Sequence, residues 1–251
     1  MNAMIFTLAA KELKSLFASP LAWIVLAILQ LILAWIFLSR LDTFLLLQPQ
    51  LVQLNQPPGA TEVVTAPLFG SAAVLMMMAV PLLSMRLIAE ERRNQTMPLL
   101  LSAPLSMTEI IIGKFIGLML FLAALIGLSG LMALSLYAGT VALDLGLLAG
   151  NLLGLLLISA CYAALGLYVS CLTSHPALAA IGALGALLGL WVINVAPGTP
   201  ESLFHWFSLL KHFESFNRGL IDSADLAFLL LFILTFLALA IQRLDADRLR
   251  G

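Results

Sequence analysis

Apolar residues in this chain come in blocks of about twenty, separated by short polar or turn-forming stretches. The blocks are residues 20–38, 67–88, 107–136, 145–169, 176–195 and 226–241. Each is near the ~20 residues that a helix needs to cross ~30 Å of hydrocarbon. In lipid the backbone must satisfy its own hydrogen bonds, so the blocks predict helices. Local signals sharpen the boundaries. Ser19 and Pro20 form a cap and first-turn pair that starts a new helix. Ser106 and Glu109 have the spacing of a capping box at the mouth of the third block. Pro81 lies inside the second block, where it removes one backbone donor and predicts a kink.

Ahead of the first block, residues 3–17 follow a different pattern. Ile5, Ala9, Leu13, Leu16 and Phe17 recur at helical spacing, and Thr7, Lys11, Lys14 and Ser15 fall on the other side. This predicts an amphipathic helix in the membrane interface, with Lys11 and Lys14 toward lipid phosphates and water. Residues 39–66 read as an outer segment ending in an irregular linker, with 44–54 apolar enough to lie on the membrane. Residues 196–225 mix Phe and Trp with His212, Glu214 and Arg218, which suits an outer interfacial or re-entrant helix pair. Residues 172–175 predict a minimal turn.

Composition removes the soluble alternatives. The chain has 251 residues, 62% hydrophobic and 10% charged, with mean hydropathy +1.09. Soluble domains are about half apolar and about a quarter charged. The expected fold is therefore one all-α integral membrane domain over 1–251, with six transmembrane helices behind an interfacial helix. The first block is too long for a signal-peptide core and no small-residue cleavage site follows it, so it is expected to remain as a span. An even span number puts both termini on one side. That side carries nine of the twelve Lys and Arg residues, and the other carries Arg40, Lys211 and Arg218. The positive-inside rule then predicts a multi-pass protein with both termini and the Arg86–Lys114 stretch in the cytoplasm.

Net charge is −1 and gives no sign of a nucleic-acid partner. Cys161 and Cys171 lack the spacing of a metal or redox motif and read as free thiols. His175, His205 and His212 find no second ligand at metal spacing, so no metal site is expected. Gly113-Lys114 lacks the rest of a phosphate-binding loop, because position 108 is Thr and position 115 is Phe. The chain is expected to bind no ATP and to catalyse nothing itself. The spans carry almost no ionisable residue, which disfavours a proton- or ion-coupled carrier. Small residues recur at four-residue spacing: Gly146, Gly150 and Gly154, then Gly182/Ala186 and Gly185/Gly189. They allow close helix approach, within one subunit or across a dimer seam.

The densest charge inside the apolar sequence is the stretch from Arg86 to Lys114, where the second and third blocks meet. It holds Arg86, Glu90, Glu91, Arg92, Arg93, Glu109 and Lys114. Residues 89–105 read as a short cytoplasmic helix of charges followed by Leu99 and Leu100, broken near Pro98. Ion pairs such as Glu90 with Arg93 are available. The leucines suit insertion into a groove on a partner.

MRLIAEERRNQTMPLLLSAPLS, followed by EIIIGKF, resembles the permeases of type-2 ABC exporters, most closely the gliding-motility-type subgroup. SLLKHFESFNRGLID resembles the outer segment before the last span of that family. At Thr96-Met97-Pro98 the chain departs from the usual pattern, which has Gly before the Thr and Glu in place of the Pro. The resemblance implies a coupling segment at Glu90, Glu91, Arg92 and Arg93 with Leu99 and Leu100, touching a separate ABC ATPase. It places Lys114 at the mouth of the third span. It implies ATP and magnesium on the ATPase rather than on this chain, and a second permease subunit, identical or similar, across a substrate pathway. A partner-independent carrier or channel, or a membrane assembly factor, are the rival readings.

Overall fold

The computed structural model describes residues 2–51, 59, 61–97, 106–138, 144–195 and 207–250, and every regular element among them is helical. In order they are α1 (Asn2–Ala18), α2 (Pro20–Leu51), a π-helical turn (Thr61–Thr65), α3 (Ala66–Ser84), a second π-helical turn (Arg86–Glu90), α4 (Glu91–Arg93), α5 (Met107–Ala138), α6 (Leu145–Leu172), α7 (Pro176–Val195), α8 (Leu209–Asn217) and α9 (Ser223–Arg250). Five stretches are long and apolar enough to cross a membrane: Pro20–Pro49, Thr61–Arg93, Met107–Leu136, Leu145–Leu172 and Ser223–Arg248. In α7 the stretch Pro176–Val192 is a shorter apolar helix.

Several boundaries correct the expectation. The first helix does not stop at 38. It continues to Leu51 through the stretch expected to begin a loop. Leu, Phe and Gln dominate residues 41–48, all tolerated in a helix, and no proline intervenes before Pro49. The second block does not stop at 88. It runs on through the second π-helical turn into α4, so the helical stretch continues to Arg93. The chain then turns at Asn94 and Gln95. Gln95 takes a left-handed φ of 56°, and the Thr96 N–H bonds the Glu91 carbonyl at 3.0 Å. The last helix runs well past 241, because its polar tail keeps helical spacing, with Arg243 and Asp247 3.6 Å apart. Of the helix pair expected over 196–225, α8 is described. Leu99, Leu100 and residues 196–206 lie outside the described residues.

The core is centred on α6, which is buried along most of its length and packs against α3, α5, α7, α8 and α9. Small residues set its closest approaches. A Cβ on Gly166 would meet Ser84 Oγ at 2.2 Å, and one on Gly154 would meet Phe216 Cβ at 2.6 Å. Gly150 faces the Phe216 carbonyl, so Gly150 and Gly154 seat α8 within the chain and form no outward seam. Gly182 meets Val169, while Gly185 and Gly189 on α7 meet nothing within 4 Å among the described residues. Gln30 Nε2 donates to the Leu125 carbonyl at 3.0 Å, fixing α2 to α5.

Candidate functional site

Charge gathers at one end of the bundle. α1 lies across the first turns of α5, and two glycines permit it. A Cβ on Gly113 would meet Leu8 at 2.9 Å, and one on Gly117 would meet Glu12 Cβ at 2.7 Å. Leu8, Ala9 and Leu16 are buried in the contact, while Lys11 and Lys14 are exposed on the opposite face, as the amphipathic pattern requires. Phe17 packs edge-on to Phe121, and Trp23 Nε1 donates to the Phe17 carbonyl at 2.6 Å, which fixes the corner between α1 and α2.

This placement brings Glu12 against Lys114. Lys114 is 0% exposed, and its Nζ donates at 2.8 Å to Glu12 Oε1 and at 2.8 Å to Glu91 Oε1. An ammonium cannot be removed from water unpaired, because its desolvation costs several kcal/mol at least. The two carboxylates offset that cost and join α1, α4 and α5 at a single atom. Glu91 Oε2 is buried with no partner among the described residues. A cavity of about 290 Å³ adjoins the cluster, bordered by Lys11, Glu12, Glu91 and Lys114.

The approach to α4 is held separately. The π-helical turn Arg86–Glu90 follows Pro81, and the Met85 N–H bonds the Pro81 carbonyl at 3.0 Å. A π turn shifts the backbone register, and such bulges occur often at functional sites. Ser170 of α6 completes the bonding there. Its hydroxyl accepts from the Ala89 N–H at 3.0 Å and the Ile88 N–H at 3.3 Å, and donates to the Met85 carbonyl at 3.1 Å. Arg86 Nη1 donates to Ser19 Oγ at 2.7 Å, and Arg86 Nε lies 3.8 Å from Glu90. Arg92 pairs with Asp247 of α9. At the start of α5, the Ser106 N–H donates to Glu109 at 2.9 Å and the Glu109 N–H donates to Ser106 Oγ at 3.2 Å, which completes the capping box.

The structure therefore divides the expected docking residues. Glu91 and Arg92 turn inward to Lys114 and Asp247, Glu90 leans toward Arg86, and Arg93 is exposed at the tip. Sequence reasoning passed over Glu12, Ser170, Asp247 and the Gly113/Gly117 pair. An acid on the packing stripe of α1 and a lone lysine two turns into a span were the legible signals.

At the opposite end, His212 Nδ1 lies 2.7 Å from Asp225 Oδ1, with its ring stacked on Phe228 at 4.1 Å. This ties α8 to α9. Glu214 and Arg218 are exposed and 3.9 Å apart, which is worth little in water. Asn217 Nδ2 donates to the Ala66 carbonyl at 3.0 Å, so α8 also closes over the start of α3.

No curated protein matches the chain. The family model described as ABC-2 family transporter protein matches residues 6–249, from the first turns of α1 to the end of α9. The match includes both the buried lysine cluster and the α8 cap, and the chain belongs to the ABC-2 transporter family as a multi-pass membrane permease component of an ABC transporter.

Proposed function

We propose that this chain is the permease subunit of an ATP-driven exporter in a bacterial inner membrane, acting as a lever on a separate ATPase. In this reading α7 crosses as a sixth span and both termini are cytoplasmic. The motor presses on the exposed face of α1, at Lys11 and Lys14, and on the turn after α4, continuing into Leu99 and Leu100. ATP and magnesium are held by the motor. A second permease, identical or similar, completes the substrate pathway. The open face of α7 at Gly185 and Gly189 suits that contact.

The observation that carries the reading is Lys114 clamped between Glu12 and Glu91. A push on either α1 or α4 reaches the start of α5 through a buried ion cluster rather than a flexible loop. Ser170 carries the same displacement into α6, and Arg92 with Asp247 carries it into α9.

The test is co-reconstitution of the chain with its ATPase in liposomes. Glu12→Gln keeps a hydrogen-bond acceptor for Lys114 but removes one charge from the clamp. It is expected to leave ATPase binding intact and to lower the permease-dependent change in ATP turnover. Transport by the chain alone, without ATP, would establish a carrier or channel instead. Binding of the ATPase with no change in turnover would establish an assembly factor.

A further inference from the structure

A second feature of the charged end is not used by the clamp. Between the end of α3 and the start of α7 lies a cavity of about 670 Å³, within the range of about 300–1,000 Å³ typical of ligand sites. Its polar rim carries Arg86, Glu90 and Arg93. The first residues of α7, Pro176 and Ala177, also border it, so the positive end of a 20-residue helix faces the same space. Its wall is apolar, and two wall residues open outward: Leu82 is 42% exposed and Ile181 67% exposed. Leu178 beside it is 57% exposed.

We propose that this groove binds an anionic phospholipid, with its phosphate between Arg93, Arg86 and the first turn of α7 and its acyl chain along Leu82 and Ile181. Charge and polarity select this occupant. Two guanidinium groups and a helix N-terminus outweigh the single carboxylate of Glu90, whose contact with Arg86 is long at 3.8 Å. Arg favours phosphate because its planar fork donates in pairs. The apolar wall belongs to Thr61–Arg93, long and apolar enough to cross a membrane, and to the shorter apolar helix Pro176–Val192, so in the proposed topology the cavity opens where acyl chains are available. A soluble anion would leave that wall unused. The site lies between the π-helical turn and α7, so an occupant would touch both the lever and the face left open for a second permease.

The test needs no motor, so its outcome is separate from that of the coupling experiment. The full purified chain is loaded in micelles with phosphatidylglycerol or phosphatidylcholine of matched chains, and retained lipid is counted by native mass spectrometry. The wild type is expected to favour the anionic lipid about fivefold or more, the scale of one basic residue near a headgroup. Arg93→Gln, at an exposed site, is expected to bring the two lipids close to parity. Ile181→Trp, which narrows the wall, is expected to lower retention of both lipids, and it decides the matter should Arg93→Gln fail to fold. Equal retention of the two lipids by the wild type overturns the proposal, as does an undiminished preference in Arg93→Gln. Displacement by tail-less glycerol phosphate at the same concentration would identify a free-anion site and overturn the lipid assignment.

Discussion

Lys114→Met removes the cation and leaves the two acids in place. The lysine side chain is 1% exposed, that of Glu12 10% and that of Glu91 19%. Both carboxylates lie 2.8 Å from the same nitrogen, so each is a near neighbour of the other once that nitrogen is gone. Breaking a buried pair costs about 3–5 kcal/mol, most of it from the uncompensated charge left behind. The variant should lose that much in a reversible detergent-unfolding measurement. The triple variant Lys114→Met, Glu12→Gln, Glu91→Gln removes the same ion pairs but strands no charge. It should recover most of the loss, since neutral replacement of a buried pair is often nearly neutral. A single variant within about 1 kcal/mol of wild type would refute the clamp. So would a triple variant no more stable than the single one, because the cost would then lie in packing rather than in charge.

Ser170→Ala leaves the Ile88 and Ala89 amides without their hydroxyl acceptor and should cost about 1–3 kcal/mol, read by the same unfolding assay. Amide exchange at those two residues should rise while the middle of α6 stays protected. Gly154→Ala forces a Cβ to 2.6 Å from Phe216 Cβ, and such overpacking should cost about 1–3 kcal/mol by loosening α8. Gly189→Leu changes a position where an added Cβ meets nothing within 4 Å among the described residues. It should leave the monomer's stability unchanged and weaken permease pairing in chemical cross-linking, whereas unchanged pairing would exclude that face from the seam.

The apolar helices were legible because their signal is cumulative: twenty apolar residues outweigh any local irregularity. Capping was legible at Ser106 and Glu109 because both partners are three residues apart. The ends were harder. Residues 39–51 lack a breaker before Pro49, and helix continuation there depends on packing such as that of buried Phe44. The charges around Glu90 to Arg93 read as a water-facing helix because sequence shows density of charge but not its direction. Their inward turn depends on partners outside the segment: Glu91 meets Lys114, 23 residues on and itself held by Glu12, 102 residues before it, and Arg92 meets Asp247, 155 residues on. The glycines of α6 could be read as close-contact sites, but which neighbour approaches them is a tertiary fact. Gly150 and Gly154 proved to face α8, while Gly185 and Gly189 remain open.

For the lever to work, the end bearing the Lys114 clamp has to face a motor inside the cell. Asn94→Cys places a thiol at the exposed turn after α4, and the two native cysteines are buried and should stay silent. A membrane-impermeant maleimide should label this thiol only after the cells are permeabilised. Labelling in intact cells would put the clamp on the outer surface and contradict the account.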